Sequence, residues 1–237
     1  MKLFRFVHSC YARKIEAFLD LGGATFEVVD VPYGDRSALV AVTGGYVQVP
    51  VLVLDDSRVV VDSRQIAETL VREDDRFAAM VPSPLEGPIW AYSDWVDTTL
   101  EDVMFRLASP AARARLPTPN ERALYTFVKE RKFGTGCVDE WMMSAASLAK
   151  KASSLLAPTA RTLAASRFIF GDRPTLADAA LFGQVAMLAS VDLKLLTCLQ
   201  PEILAWFKRV REAGARDPTE APATIRPGPR SVRNPQA

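Results

Sequence analysis

The first third of the chain alternates between short apolar runs, which predict strands, and apolar residues at helical spacing, which predict helices. Strands are predicted over 2–7, 25–31 and 47–56, and the segment RVVVD, 58–62, is predicted to return as the hairpin partner of the third. Helices are predicted over 11–21, 35–42 and 63–73. This β-α-β-α-β-β-α order implies a small mixed sheet with helices packed on it.

From about Pro88 the strand patterns stop, and helices are predicted over 89–107, 120–131, 137–156, 176–195 and 201–213. A charged and then proline-rich segment, 71–88, is interpreted as a linker between the two halves. After residue 213 the chain carries prolines and charges but almost no core-forming residues, which predicts a disordered tail. We therefore expect domains at 1–80 and 88–213 and a tail at 214–237.

Composition narrows the class of protein. The 237 residues are 49% hydrophobic, enough for one large or two modest cores. The net charge of +1 indicates no attraction to nucleic acid or to a membrane surface, and the apolar stretches are too short to span a bilayer. The N-terminal residues lack a signal-peptide pattern. Cys10, Cys137 and Cys198 are too far apart for a disulfide framework or a zinc site, so we expect no metal and a reduced, cytoplasmic protein.

One segment near the start carries candidate chemistry. FVHSCYARKIEAFLDLGG, residues 6–23, places His8, Ser9 and Cys10 directly before an amphipathic helix. Free N–H groups and the helix dipole favour negative charge at such an end, and they lower the pKa of a thiol. Serine is also among the best helix caps, and a free cysteine is commonly a small buried residue. The residues alone leave both interpretations open.

Four segments of the sequence resemble those of the cytosolic glutathione transferases. They are SCYARKI (9–15), which is similar to the active-site helix start of serine-type, zeta-like and bacterial members; QVPVLV (48–53); VDSRQIAETL (61–70), with Asp62 in place of the family's Glu; and GDRPTLADAAL (171–181), which contains a capping box at Thr175. The resemblance covers roughly residues 1–212. It implies an α/β thioredoxin-like N-terminal domain, an all-α C-terminal domain and a homodimer.

The same resemblance implies a site for glutathione as co-substrate. Ser9 would donate its O–H to the glutathione sulfur and stabilise the thiolate. The backbone of Val49, beside Gln48 and joined to Pro50 by a cis bond, would pair with the tripeptide like an added strand. Asp62 would meet the γ-glutamyl ammonium, and Ser63 would bind its carboxylate. The structural alternatives are a proline in an edge strand and an ordinary Asp-Ser helix cap.

Further residues are candidates for the second-substrate pocket. Tyr92, Trp95 and Thr99 share one face of a predicted helix and are placed with His8 and Tyr11 beside Ser9. The alternative for the aromatic residues is a core between the domains. For His8 the alternative is a hydrogen-bonded residue just past the first strand.

The function implied by the resemblance is the attack of the glutathione thiolate on a hydrophobic electrophilic small molecule. Two departures from the family pattern keep alternatives open. Cys10 stands where many relatives carry proline, which allows a Cys10-dependent glutathione thiol–disulfide reductase. His8 stands where zeta-like members have another serine. A non-catalytic relative used for binding or interaction is the third alternative.

Overall fold

The computed structural model describes residues 1–216 and 218–219. Its first part contains β1 (Lys2–Arg5), α1 (Cys10–Leu21), β2 (Glu27–Asp30), α2 (Ser37–Thr43), β3 (Val51–Val53), β4 (Val59–Val61), α3 (Ser63–Glu73) and a single turn, α4 (Asp75–Ala78). The element order predicted from the sequence is confirmed, and only the short α4, inside the predicted linker, was not expected.

The strands form one mixed sheet in the order β2-β1-β3-β4. β1 is parallel to β2 and antiparallel to β3, which is antiparallel to β4. Val51 pairs with both Phe4 of β1 and Val61 of β4. The residues that follow β1, β2 and β4 therefore lie at the same edge of the sheet as the residues that precede β3. We call this edge the loop edge.

The strand predicted over 47–56 is wrong in length, because β3 contains only Val51–Val53. Pro50 precedes it and has no backbone N–H to donate to a neighbouring strand. After β3, Leu54 and Ser57 form a turn in which the Ser57 N–H donates to the Leu54 carbonyl at 3.0 Å. The Val49–Pro50 peptide bond is cis, as predicted.

The rest of the described chain is helical. It contains α5 (Glu86–Trp95), a π-helical turn (Val96–Leu100), α6 (Glu101–Arg115), α7 (Pro119–Phe133), α8 (Cys137–Met143), α9 (Ala145–Ala165), α10 (Leu176–Val191) and α11 (Pro201–Glu212), with 3₁₀ turns at Ser83–Leu85 and Leu193–Cys198. A thioredoxin-like sheet domain followed by a helical domain is the predicted fold class, and the structure confirms it.

The helix predicted over 89–107 is wrong in its bounds, because α5, the π-helical turn and α6 together run from Glu86 to Arg115, and α9 ends at Ala165 rather than at 156. Two further differences from the prediction have local reasons. The helix predicted over 137–156 is two helices separated at Ser144, whose carbonyl accepts bonds from both the N–H and the hydroxyl of Ser147. The helix predicted to reach residue 195 ends at Val191. Asp192 there has an extended backbone, and its carboxylate accepts the Lys194 N–H at 2.9 Å, which starts a 3₁₀ turn.

The capping box predicted at the start of α10 is present. The Asp178 carboxylate accepts the Thr175 N–H at 2.9 Å, and it also accepts the Ile169 N–H at 3.1 Å and the indole N–H of Trp206 at 2.8 Å. Asp178 is fully buried, so each of these bonds satisfies a group that water cannot reach. One carboxylate thus joins the start of α10 to the preceding loop and to α11.

The predicted disordered tail, 214–237, lies outside the described residues apart from 214–216 and 218–219. Those few residues pack on the sheet domain. Arg216 forms an ion pair with Asp20 at 3.0 Å, and its guanidinium lies 4.2 Å from the centre of the Phe26 ring. The Pro218 carbonyl accepts a bond from Arg13.

Helices α1 and α10 join the two domains by direct backbone contact at Gly183. A β-carbon built at Gly183 would lie 2.4 Å from the Cys10 carbonyl oxygen and 2.7 Å from the Lys14 nitrogen. Both distances are far below van der Waals contact, so only glycine permits this approach. Lys14 adds a polar tie, because its ammonium lies 2.5 Å from Asp97 and 2.9 Å from the Ser93 hydroxyl.

We expect Gly183→Ala to lower the free energy of unfolding by about 3 kcal/mol, the upper end of the usual overpacking penalty, because backbone rather than a flexible side chain must move. Urea unfolding followed by circular dichroism measures the change. The matched control is Gly87→Ala in α5, where an added β-carbon meets nothing within 4 Å. It should be neutral or stabilising by up to about 1 kcal/mol. Equal stability of the two variants would contradict the backbone contact.

Candidate functional site

The loop edge brings together the segments predicted to hold glutathione. Ser9 follows β1 at the start of α1, Val49 and Pro50 directly precede β3, and Asp62 and Ser63 directly follow β4. Because Val51 pairs with Phe4 and with Val61, the ends of these three segments are neighbours across the sheet. Gln48, next to Val49, is exposed.

Ser9 is the N-cap of α1. Its backbone is extended, and its hydroxyl oxygen accepts the Ala12 N–H at 3.2 Å. This bond uses a lone pair and leaves the hydroxyl proton, which has no acceptor among the described residues. The cap and the donor role are therefore compatible, and the side chain holds its O–H at the helix start, where negative charge is favoured.

Asp62 and Ser63 begin α3 in an unusual backbone geometry. One Asp62 carboxylate oxygen accepts the Arg64 N–H at 2.8 Å and the Gln65 N–H at 3.4 Å, so the ordinary helix cap is present. Asp62 has a φ of 72°, a region that non-glycine residues rarely occupy. Such a conformation costs about 1–3 kcal/mol and persists where the surroundings impose it, most often at functional sites. Nothing in the sequence indicates it.

Cys10 is placed unfavourably for chemistry. Its side chain is 4% exposed. Burial raises the pKa of its thiol well above the ordinary value, and the negative charges of Glu101 and Asp97 add to the effect. The lower thiol pKa expected at a helix start is therefore wrong for Cys10, since desolvation outweighs the helix dipole. A thiol that is protonated and shielded from solvent is a poor nucleophile.

His8 faces the end of α10. Its Nδ1 lies 3.1 Å from the Ser190 hydroxyl, which itself donates to the Met187 carbonyl at 2.8 Å. The hydroxyl has only one proton, so the histidine must donate from Nδ1. Burial, with Arg13 and Arg115 nearby, lowers the pKa of His8 to about 4. His8 is thus neutral at pH 7, and it lines a cavity of about 490 Å³ together with Arg5, Asp30 and Arg115.

The other candidates for the second-substrate pocket differ in their contacts and in their exposure to solvent. The Tyr11 hydroxyl donates to the Asp97 carbonyl at 2.9 Å, within the π-helical turn. The Tyr92 hydroxyl lies 2.9 Å from that of Thr159 in α9, and the Tyr92 ring packs on Trp95 at 5.4 Å. These contacts of Tyr92 are those of a core residue. Thr99 is exposed.

Two ionisable groups near α1 were not singled out from the sequence. Burial raises the pKa of Glu101, on α6, to about 7. Burial and the charge of Lys132 lower the pKa of Lys129, on α7, to about 8. A single Glu and a single Lys on charged helices give no sequence signal, because their burial arises only when α6 and α7 pack near the start of α1.

Over 1–216 and 218–219, no group of three or more His, Cys, Asp or Glu side chains is placed to hold a metal ion. Within the same residues, no helix has both the length and the apolar character needed to cross a membrane.

Two protein-family models match the chain, and together they cover more than half of it. The N-terminal domain of glutathione S-transferases matches residues 3–76, and the C-terminal domain of glutathione S-transferases matches residues 143–213. The chain belongs to the glutathione S-transferase family. This confirms the family resemblance, whereas the serine-type role of Ser9 stays a prediction.

Solved structures of glutathione S-transferases share the fold. One from Ceriporiopsis subvermispora, in complex with glutathione, is 16% identical with a TM-score of 0.77, covering 94% of this chain and 99% of that one. One from Rhodospirillum rubrum is 18% identical with a TM-score of 0.67, covering 95% of each chain. The structure of glutaredoxin 2 from Salmonella typhimurium, in complex with glutathione, is also similar. It is 17% identical with a TM-score of 0.68, covering 90% of this chain and 93% of that one. No curated protein matches the sequence.

We expect Cys10 of the folded protein to react with iodoacetamide at pH 8 at least ten times more slowly than the half-buried Cys198, because the Cys10 thiol is both protonated and buried. Mass spectrometry of the alkylated peptides measures the two rates. Unfolding in urea is the control and should make the rates similar. Fast labelling of Cys10 in the folded protein would restore it as a candidate nucleophile.

Proposed function

We propose that this protein binds glutathione along the loop edge and activates its thiol for attack on an electrophilic small molecule. The observation that supports this most strongly is the convergence of three segments at one edge of the sheet: the α1 cap at Ser9, the residues Val49 and Pro50 before β3, and Asp62, with its positive φ, before Ser63. Glutathione is present in the solved structures from Ceriporiopsis subvermispora and Salmonella typhimurium.

In the proposed complex, glutathione lies extended across the loop edge. The backbone of Val49, with Gln48 beside it, pairs with the cysteinyl part of the tripeptide. The N–H groups of the first turn of α3 and the Ser63 hydroxyl bind the γ-glutamyl carboxylate. The Asp62 carboxylate, which uses one oxygen to cap α3, binds the ammonium with the other.

Ser9 then lowers the pKa of the bound thiol. Its O–H donates to the sulfur, and a hydrogen bond to a charged group is worth about 1.5–3 kcal/mol. The thiol proton leaves to solvent, and the thiolate attacks the electrophilic carbon. A sulfur–carbon bond forms while the leaving group departs with its electron pair. The protein contributes thiol activation and the alignment of the two reactants.

The alternative functions differ in what they require of Cys10 and of the site. A reductase that forms a mixed disulfide needs a reactive, accessible thiol, and Cys10 has neither property. A non-catalytic relative would bind glutathione without turnover. We further propose a cytoplasmic homodimer, since free cysteines are typical of reducing compartments and the family resemblance implies two-fold assembly.

We expect Ser9→Ala to lower conjugation at pH 7 by about ten- to a hundred-fold, because the pKa of the bound thiol rises when its hydrogen bond is lost. Activity should approach that of the parent above about pH 8.5, where an ordinary thiol ionises without help. The pH profile of kcat/KM, corrected for the uncatalysed reaction, measures the effect.

Ser9→Thr is the matched control, since it keeps both the hydroxyl and the capping oxygen and should retain most activity. Full activity of Ser9→Ala at pH 7, together with loss of activity in Cys10→Ser, would reverse the assignment. Unchanged activity in both Ser9→Ala and Cys10→Ser would mean that Ser9 acts only as a helix cap.

We expect Ser63→Ala to weaken glutathione binding by about 1–3 kcal/mol, because the bound carboxylate loses a buried partner. Isothermal titration calorimetry measures the dissociation constant. Ser83→Ala, at an exposed serine in the 3₁₀ turn before α5, is the control and should bind as the parent does. Equal affinity of Ser63→Ala and the parent would refute the proposed placement of the γ-glutamyl group.

A further inference from the structure

A continuous row of aromatic rings connects the loop edge to the helical domain. The Phe6 and Tyr33 rings, which follow β1 and β2, have centroids 5.6 Å apart. Tyr33 in turn lies 5.2 Å from Tyr125 of α7. The Ser9 N–H donates to the Phe6 carbonyl at 3.0 Å, so this row begins at the segment that holds Ser9 and the proposed glutathione sulfur.

Two cations lie over this row. The Arg36 guanidinium is 4.6 Å from the centre of the Phe6 ring and 4.9 Å from that of Tyr33. The Lys129 ammonium is 4.8 Å from Tyr125 and 4.6 Å from Phe105 of α6. We call these six residues, Phe6, Tyr33, Arg36, Phe105, Tyr125 and Lys129, the aromatic–cation wall.

In the part of the chain that the structure describes, neither cation of the wall is in contact with a carboxylate. Within 1–216 and 218–219, no carboxylate oxygen lies within 4.0 Å of the side-chain nitrogens of Arg36 or Lys129. The buried cations of the sheet domain differ, since Arg5 lies 2.6 Å from Glu16 and Lys14 lies 2.5 Å from Asp97. Arg36 instead donates to backbone carbonyls, of Tyr33 at 3.4 Å and of Val47 at 2.8 Å. The two cations of the wall therefore have no carboxylate in direct contact among the described residues.

The surroundings of Lys129 make that charge costly. Burial lowers the pKa of Lys129 to about 8. The positive charges of Lys132, on the same helix, and of Arg36, before α2, lower this pKa further, whereas Glu101 on α6 and Cys10 on α1 raise it. Glu101 neutralises the ammonium only in part at pH 7, because burial raises the pKa of Glu101 to about 7. An anion bound at the wall would offset this cost.

We propose that the acceptor substrate is a planar aromatic electrophile that carries a carboxylate or similar anionic group. Its ring packs on the part-exposed rings of Phe6 and Tyr33, and its anion binds Arg36 and Lys129. This inference rests on the proposed function and replaces the purely hydrophobic acceptor expected from the sequence with a more specific class. Arg36 and Lys129 are the residues that determine the preference for an anionic acceptor over a neutral one.

A pair of electrophiles that differ only in charge tests the proposal: a chlorodinitrobenzoate and the amide of the same acid. Each kcat/KM with glutathione is divided by the uncatalysed rate constant.

The parent should prefer the acid by at least ten-fold. Lys129→Met and Arg36→Met should each reduce the preference to near one, whereas Lys129→Arg should keep it. Lys208→Met, on the exposed face of α11, removes the same charge elsewhere and should also keep it. Equal or better use of the amide by the parent would overturn the inference.

A second measurement does not depend on turnover. Dinitrobenzoate, which lacks the leaving group, is titrated at pH 8 in buffers of different ionisation enthalpy. Binding should take up protons, because the anion raises the pKa of a partly deprotonated Lys129. Proton uptake should fall in Lys129→Met, and what remains comes from Glu101, whose pKa is about 7. No binding, or equal affinity and proton uptake in parent and variant, would overturn the inference. If glutathione neither binds nor reacts, the proposed function fails, and this titration still decides the role of the wall.

Discussion

The close backbone contact between α1 and α10 fixes the position of the sheet domain against the helical domain. At Gly183 the two backbones meet without an intervening side chain, so the distance between the helices is fixed by main-chain atoms. The start of α1 presents Ser9 at the loop edge, and the far side of α10 packs into the helical domain. The geometry of the candidate site is therefore set by the packing of a second domain, not by the sheet alone.

Buried ion pairs fix the orientation of α1 in this contact. Arg13, Lys14 and Glu16 lie on α1, and each is at most 5% exposed. Arg13 and Arg5 both pair with Glu16, while Lys14 pairs with Asp97. A buried charge without its partner costs several kcal/mol, so a rotated or shifted α1 would be strongly disfavoured. These ion pairs specify one orientation of the helix even where they add little net stability.

The sequence predicts most of the fold and part of the site. The order of strands and helices, the bounds of α3, the capping box before α10 and the cis bond at Pro50 all follow from local patterns or from family resemblance. The features it does not predict arise from tertiary packing. Cys10 has a high thiol pKa because α10 covers it, and Asp62 has a positive φ because β4 and α3 meet there. Lys129 and Arg36 approach each other only when α7 packs over the loop after β2.

The π-helical turn at Val96–Leu100 has a consequence for how this region can vary. Such a turn holds one more residue than the α-helical path through the same space. Removing that one residue would restore regular winding, and the residues that follow on α6 would keep their direction relative to α5. Removing one residue from a regular α-helix instead rotates everything beyond it by about 100°. Phe105 would therefore stay on the side of α6 that faces Lys129 of α7. The helix can thus gain or lose one residue at Val96–Leu100 without turning the face that α6 presents to its neighbours.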